Sequence, residues 1–254
     1  MKIVIIGGTG LIGRRLGEHL KNAGHEMVSA SPSTGVNAVT GEGLAGALRG
    51  ADVVVDVPNS PSFEDGPVMD FFRNSTRNLV TEEQKAGVRH HVVLSIVGAE
   101  RMPDIGYMRA KVEQEKIVRS SGVPYTIVRA TQFFEFIPAL AEAASDGTSV
   151  RLSPVLMQPI AAADVSAALA RVAVGHATGD VIELAGPEPL RLADLGRELL
   201  GARGDKREVV VDPSVGYFGG MVTDESLIPG NDTGITQQSR GDTRFRDWLA
   251  ANRD

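Results

Sequence analysis

Over the first 130 residues, short runs of β-branched side chains alternate with longer stretches in which apolar residues recur at helical spacing. Residues 2–6 form a run that is apolar after its first residue, Lys2, and is followed by glycine, which is typical of a strand buried on both faces. Helical spacing predicts helices at 11–23, just before 49, at 67–86 and at 106–121. The β-branched runs predict strands at 26–31, 36–40, 52–57, 92–97 and 125–128. Strands that alternate with helices of this length predict an α/β fold with a doubly wound parallel sheet.

The pattern changes after residue 130. It predicts helices at 134–145, after 164, at 191–202 and around Trp248, with strands at 149–153, 181–184 and 209–211. Residues 213–241 are rich in Gly, Pro, Asp and Ser, which predicts a long loop. We therefore expect a core at 1–130 and a smaller lobe at 131–254, packed on the core as one structural unit.

A glycine-rich segment, Gly7-Gly8-Thr9-Gly10-Leu11-Ile12-Gly13, joins the first strand to the first helix. Gly7 permits the tight turn, Gly10 lets the backbone approach a pyrophosphate, and Gly13 allows close packing of the helix on the strand. The free N–H groups at the start of the helix then bind the phosphates. This context predicts a Rossmann dinucleotide site; the alternative is a glycine turn with a purely structural role. The predicted cofactor contacts are Gly7, Thr9, Gly10, Leu11, Ile12, Gly13, Arg14, Ser31, Ser33, Val57, Pro58, Asn59 and Lys111.

The end of the second predicted strand decides between NAD and NADP. An acidic residue there would bind the ribose 2′-hydroxyl and repel a 2′-phosphate. This chain instead has Ser31 and Ser33, followed by Thr34, with Arg14 in the first turn of the neighbouring helix. We therefore expect NADP (NADPH) to be favoured over NAD, although a polar turn without this role is also consistent with the residues.

Loops that follow the strands should line the ligand pocket, because doubly wound sheets bind ligands beyond the carboxyl ends of their strands. Residues 57–60 should pass near the cofactor's ribose. Residues 130–136 carry three phenylalanines, which favours a substrate with an apolar or aromatic ring. The alternative is that two of the three belong to the core of the following helix.

Tyr107 and Lys111 are four residues apart on a predicted helix, which places both side chains on one face, and Ser95 comes late in the preceding strand. With the glycine turn, this set resembles the short-chain dehydrogenase/reductase superfamily, and within it the atypical, NmrA-like NAD(P)-binding branch. Segments 124–129, 159–165 and 185–187 extend the resemblance over nearly the whole chain. The alternative for the helix is a chance pair on a solvated face.

The resemblance implies a catalytic role for each of these residues. Tyr107 would be the general acid/base, and Lys111 would bind the nicotinamide ribose and lower the pKa of Tyr107. Ser95 would orient a substrate carbonyl. The implied activity is an NAD(P)H-dependent carbonyl or quinone-type reductase acting on a small molecule. A non-catalytic NAD(P) sensor with a regulatory partner and a nucleotide-sugar epimerase or dehydratase stay as alternatives.

The composition argues against several other classes of function. The net charge of −6, from 26 basic and 32 acidic residues without a basic cluster, argues against nucleic-acid binding. The chain has no cysteine, and its five histidines lack metal-ligand spacing, so we expect no metal site. His90 and His91 begin a strand and are expected to be a surface pair. The first residues are too few for a signal-peptide core and no apolar run is long enough to cross a membrane, so we expect a cytoplasmic protein.

Overall fold

The computed structural model describes residues 1–230 and 239–252. Residues 231–238, which belong to the predicted 213–241 loop, lie outside the described residues. The strands in chain order are β1 (Lys2–Ile6), β2 (Glu26–Ala30), β3 (Val53–Asp56), β4 (His90–Ile96), β5 (Tyr125–Ala130), β6 (Ser149–Leu152), β7 (Leu156–Met157), β8 (Val181–Leu184), β9 (Leu190–Arg191) and β10 (Glu208–Val211). The helices are α1 (Leu11–Asn22), α2 (Leu44–Leu48), α3 (Asp65–Ala86), α4 (Gly106–Ser120), α5 (Ile137–Ala143), α6 (Ala162–Val174), α7 (Leu192–Ala202) and α8 (Phe245–Ala251).

Six of the strands form a parallel sheet in the order β2-β1-β3-β4-β5-β8, which confirms the prediction of a doubly wound α/β fold. Strand β1 pairs in parallel with both β2 and β3, so the chain reverses its direction of winding around β1. All four residues of β3 and four of the five in β1 are buried, as the apolar residues that make up most of both strands require. The carboxyl ends of β1 and β3 therefore meet at the edge where the glycine turn begins.

The prediction of a strand near residues 36–40 is wrong. This segment is a turn with one isolated bridge between Asn37 and Glu42. The Asn37 side-chain oxygen accepts hydrogen bonds from the backbone N–H groups of Val39 (2.9 Å) and Thr40 (3.3 Å). An Asn side chain that satisfies backbone donors two and three residues ahead folds the chain into a turn, which competes with strand pairing.

The expectation that His90 and His91 form a surface pair is also wrong, because both side chains are buried. His90 Nε2 lies 2.9 Å from Thr126 Oγ1. His91 Nδ1 lies 2.8 and 2.9 Å from the two carboxylate oxygens of Glu83 on α3. Each imidazole therefore has a polar partner on a neighbouring element, which a sequence pattern does not reveal.

The chain divides into two compact units. The first comprises Met1–Arg129 and Val165–Ile182, and the second comprises Ala130–Asp164 and Glu183–Asp254. The first unit thus contains most of α6, which the division at residue 130 assigned to the second half. The substrate-binding role of the second half stays a prediction.

Candidate functional site

The glycine turn between β1 and α1 is built so tightly that three positions, Gly7, Gly8 and Gly13, exclude a side chain. Gly7 has φ +80°, and a Cβ on it would lie 2.8 Å from Cα of Pro58 on the loop after β3. A Cβ on Gly13 would lie 2.3 Å from the carbonyl oxygen of Gly7. The structure therefore brings the predicted residues of the turn and Pro58 together, with α1 pressed against the turn.

Gly10 is different, because it is exposed and adopts an extended backbone with φ −79° and ψ −177°. A Cβ there would approach only the carbonyl oxygen of Gly7, at 3.2 Å, among the described residues. Gly10 is the N-cap of α1, and no side chain caps this helix. The first N–H groups of α1 are thus free to bind an anion, and the positive end of the helix dipole favours one. We call Gly10 and the first N–H groups of α1 the cradle; it fits the pyrophosphate of a dinucleotide.

The end of β2 lies beside this turn. Ser31 is buried, and its Oγ accepts a hydrogen bond from the Thr9 backbone N–H at 3.3 Å. Thr34 Oγ1 accepts one from the Ser31 backbone N–H at 2.9 Å, so this segment is ordered by its own side chains. Ser33 is exposed. Arg14 is also exposed, and its guanidinium forms no ion pair or side-chain hydrogen bond with any residue in the described part of the chain.

Tyr107 lies at the start of α4, with its hydroxyl directed at the loop after β3. The hydroxyl donates a hydrogen bond to Asn59 Oδ1 at 2.7 Å. The ring packs between Phe63, at 5.5 Å between ring centroids, and Phe72, at 5.7 Å in an edge-on arrangement. Burial of the hydroxyl raises the pKa of Tyr107 above its ordinary value of 10.0. The structure therefore presents Tyr107 as a protonated hydrogen-bond donor.

Lys111 lies one turn further along α4 and contacts the same phenylalanine, since its Nζ is 4.4 Å from the centroid of the Phe72 ring. Tyr107 and Lys111 do share a helix face, since both contact Phe72, but the ammonium group and the tyrosine hydroxyl bond to different partners. Nζ donates hydrogen bonds to the backbone oxygen of Leu94, at 2.8 Å, and to Gln114 Oε1. Burial lowers the pKa of Lys111 to about 8.

The buried carboxylate of Asp56 is linked to this lysine through Gln114. Gln114 Nε2 donates to Asp56 Oδ2 at 2.8 Å, so the glutamine links the last residue of β3 to Lys111. Burial raises the pKa of Asp56, whereas the charges of His91 and Lys111 oppose that shift. Sequence patterns missed both Asp56 and Gln114. The only available signal was an acidic residue at the end of an apolar strand.

Ser95 is buried near the carboxyl end of β4, beside Glu115 on α4. Arg129 binds both oxygens of Glu115 at 2.8 Å and also pairs with Glu100 at 2.9 Å. Burial alone would raise the pKa of Glu115, but the hydrogen bonds and charge of Arg129, with the charge of Arg119, outweigh it and lower the pKa. Ser95 thus lies in an ion-pair cluster.

The three predicted catalytic residues are close in the fold but not joined. No hydrogen bond within residues 1–230 or 239–252 connects any two of Ser95, Tyr107 and Lys111. Tyr107 bonds to Asn59 and Lys111 to Leu94 and Gln114, whereas the buried Ser95 hydroxyl has no hydrogen-bond partner among the described residues. Their roles as a catalytic set stay a prediction.

The loop after β5 belongs to the second unit. Phe134 is buried and packs against Phe245, at 5.2 Å between ring centroids. Phe133 and Phe136 stack at 5.7 Å with an interplanar angle of 17°, and Phe136 is exposed. One of the three phenylalanines is therefore a core residue, while the other two form a pair that reaches the surface.

No cluster of three or more His, Asp or Glu side chains with metal-binding geometry occurs among the described residues. None of the helices in this part of the chain combines the length and apolar character needed to span a membrane.

Comparison with known families gives one match over most of the chain. The model of a family described as NAD(P)H-binding matches residues 7–174. This range includes the glycine turn and the loop after β3, together with Tyr107 and Lys111.

Three curated relatives match the chain over part of their length. Quinone oxidoreductase 2 of Escherichia coli is 31% identical over 161 residues, which are 61% of this chain and 53% of that protein. The (4-alkanoyl-5-oxo-2,5-dihydrofuran-3-yl)methyl phosphate reductase of Streptomyces griseus is 33% identical over 144 residues, 52% of this chain and 48% of the relative. The photosystem II assembly factor Ycf39 of Synechocystis is 26% identical over 149 residues, 53% and 46% of the two chains. The matches span about half the length of these relatives.

Solved structures share the fold over the whole chain. The NADPH-dependent quinone oxidoreductase of Escherichia coli, complexed with NADPH, superposes with a TM-score of 0.74 at 21% identity, covering 99% of this chain and 100% of that one. The UDP-glucose 4-epimerase of Thermus thermophilus, complexed with NAD, gives 0.75 at 18% identity and covers 98% of both chains. At such identities the likeness concerns the fold alone.

Proposed function

The chain belongs to the NAD(P)H-binding family, and we propose that it is an NAD(P)H-dependent reductase of conjugated carbonyl compounds, quinones among them. The observation that carries the cofactor half of this proposal is the cradle at Gly10, with the uncapped N-terminus of α1 beside it. When bound, NAD(P)H supplies the hydride. The reductase half is supported by the names of two relatives, a quinone oxidoreductase and a reductase.

The environment of Tyr107 supports the conjugated class of substrate. In this proposal the Tyr107 hydroxyl, oriented by Asn59, donates its proton toward the reduced oxygen. Burial raises the pKa of Tyr107, and the Lys111 ammonium group is bonded elsewhere, so the tyrosine is a weak acid. Reduction of a simple ketone builds charge on one strongly basic oxygen, whereas a reduced quinone spreads it over a conjugated system. The weak acid therefore favours substrates that need little help from a proton donor.

A substrate comparison tests this proposal. Purified protein with NADPH should reduce naphthoquinone, followed by the loss of NADPH absorbance, and should leave cyclohexanone unchanged. The chain has no cysteine, so thiol addition to the quinone does not complicate the assay. Equal rates with the two compounds would contradict the preference for conjugated substrates, and no rate with any quinone would contradict the reductase assignment.

Replacement of Tyr107 by phenylalanine should lower kcat/KM for the quinone by about 10- to 100-fold, the loss expected for one hydrogen bond to a developing charge. The wild-type rate should not change through the neutral pH range on account of Tyr107, because its raised pKa keeps it protonated there. Steady-state kinetics of the two proteins over a pH series make the measurement.

Tyr125→Phe is the matched control, since Tyr125 is a half-buried tyrosine on β5 with Arg119 6.0 Å from its ring. It should retain the wild-type rate. A Tyr107→Phe protein as fast as wild type would exclude Tyr107 as the proton donor.

We also propose that the cofactor is NADPH rather than NADH, because Arg14 is an exposed cation in the first turn of α1 with no ion pair among the described residues, and the end of β2 lies beside the turn that begins this helix. Arg14→Ala should weaken NADPH binding by about 10-fold or more, since a charge-assisted hydrogen bond contributes about 1.5–3 kcal/mol. NADH binding should not change. Fluorescence titration measures both affinities.

Arg15→Ala is the control for charge, since Arg15 is equally exposed on the same helix but lies about 100° further around it. It should bind both cofactors as wild type does. Equal weakening of NADPH and NADH by Arg14→Ala would contradict a contact with the 2′-phosphate.

A second candidate function is a non-catalytic NAD(P)-binding protein. It is favoured by the separate hydrogen-bond partners of Tyr107 and Lys111, and by the similarity to an assembly factor. Tight NAD(P)H binding without turnover of any quinone or enone would select this candidate over the reductase.

A further inference from the structure

Gln132, in the second unit, is a buried side chain whose polar atoms have no hydrogen-bond partner among the described residues. It lies two residues beyond the end of β5 and is 8% exposed. Neither Nε2 nor Oε1 bonds to any described residue. Leaving a buried polar group unpaired costs about 1–3 kcal/mol, and a native protein retains such a group where it has a role.

The backbone around this glutamine is fixed. The Gln132 carbonyl oxygen accepts a hydrogen bond from Ile160 N–H at 2.9 Å, and Phe134 N–H donates to the Ile160 oxygen at 3.0 Å. On the other side, Thr131 N–H donates to the Leu184 oxygen at 2.9 Å, and Thr131 Oγ1 donates to the Gln158 oxygen at 2.7 Å. The amide is therefore held on a rigid segment, as a recognition group should be.

A second buried glutamine shows what a structural role looks like in this fold. Gln114 is 1% exposed, and both ends of its amide are bonded, Oε1 to Lys111 and Nε2 to Asp56. A glutamine that supports the fold is thus satisfied by its neighbours. Gln132 has equivalent chemistry and comparable burial but no such neighbour among the described residues, so its amide is available to a ligand.

The amide itself specifies the ligand's chemistry. A carboxamide presents one acceptor and two donors in a plane, so it pairs with a group that carries an acceptor and a donor side by side. The adjacent residue, Phe133, stacks on Phe136 and supplies an aromatic surface. We propose that Gln132 is a ligand-recognition residue for a planar aromatic compound with a carbonyl and a hydrogen-bond donor on one edge, such as an aminoquinone. The choice of a quinone rests on the proposed function.

A pair of probes tests this recognition by binding alone. One is a naphthoquinone with an amino group next to a carbonyl, and the other is its dimethylamino analogue, which lacks the donor. Wild-type protein should bind the amino probe about 10-fold more tightly, as expected for one net hydrogen bond of about 1–1.5 kcal/mol. In Gln132→Leu, and in the unbranched Gln132→Met, the two affinities should become equal. A ratio that is the same in wild type and both variants would overturn the proposal.

Stability provides an independent readout of the same variants. Because Gln132→Leu removes an unpaired amide, it should raise Tm by about 2–4 °C. Gln114→Leu should lower Tm, since it leaves Lys111 and Asp56 without their shared partner. A lower Tm for Gln132→Leu would overturn the proposal, because it would show that the amide has a structural partner.

The outcomes separate this inference from the proposed function. If the probe ratio depends on Gln132 but no quinone is reduced, the recognition site stands and the reductase assignment fails. If quinones are reduced and the ratio does not depend on Gln132, the reductase assignment stands and the recognition site fails.

Discussion

Glu83→Gln is expected to lower the free energy of unfolding by about 3–5 kcal/mol, the usual cost of removing one partner of a buried ion pair. His91 Nδ1 lies 2.8 and 2.9 Å from the two Glu83 oxygens, and both side chains are fully buried. Burial alone would lower the pKa of His91, but the charge and hydrogen bond of Glu83 reverse the shift and raise it. The variant leaves this imidazole without its counter-charge.

The sign of the pKa shift sets the pH dependence. A histidine whose folded pKa exceeds its unfolded value of 6.5 stabilises the protein fully below that value and loses this contribution as pH rises through the folded pKa. The loss caused by Glu83→Gln should therefore be larger at about pH 6 than at about pH 9. Urea unfolding at the two pH values measures it.

Glu82→Gln is the matched control on the same helix. Glu82 pairs with Lys85 at 2.6 Å, but the lysine side chain is 65% exposed. The pair is screened by solvent, so its loss should cost within about 1 kcal/mol. If Glu83→Gln were no more destabilising than Glu82→Gln, the buried pair would not contribute to stability as described.

Gly10→Val is expected to weaken NAD(P)H binding by about 100-fold or more. A side chain at Gly10 would occupy the cradle beside the first N–H groups of α1. The lost bonds to phosphate contribute about 1.5–3 kcal/mol each. The backbone of Gly10 is extended, and in the described part of the chain only the Gly7 carbonyl oxygen lies within 4 Å of a Cβ there, at 3.2 Å. The fold should therefore survive, with the loss confined to binding.

Fluorescence titration and thermal unfolding of the same preparation separate the two effects. Gly46→Val is the control, because Gly46 lies exposed on α2 with nothing within 4 Å of an added Cβ. It should bind NAD(P)H as wild type does. Binding by Gly10→Val within a few-fold of wild type would show that the cofactor does not use this cradle.

Short-range patterns in the sequence determined the sheet strands and the glycine turn. The apolar run at 2–6 and the glycines at 7, 10 and 13 appear in the structure as β1 and the close turn into α1. These features depend on steric limits within a few residues, such as the positive φ of Gly7. A local cause of this kind is readable from local sequence.

Both failed predictions depend on the hydrogen-bond partner that a polar side chain finds in the folded chain. The buried His91 imidazole pairs with the Glu83 carboxylate on α3. The prediction of a surface pair did not include this contact, because a sequence pattern does not show which residues pack together. The strand near 36–40 failed for a local reason, since an Asn37 side chain competed with strand pairing.

The candidate site shows the same division. Spacing along a helix determined that Tyr107 and Lys111 share a face of α4, and both contact Phe72. Only the tertiary structure decided that the hydroxyl meets Asn59 and the ammonium group meets Leu94 and Gln114. Helical periodicity fixes the direction of a side chain from its own helix, whereas its hydrogen-bond partner depends on which distant element the fold packs against that face.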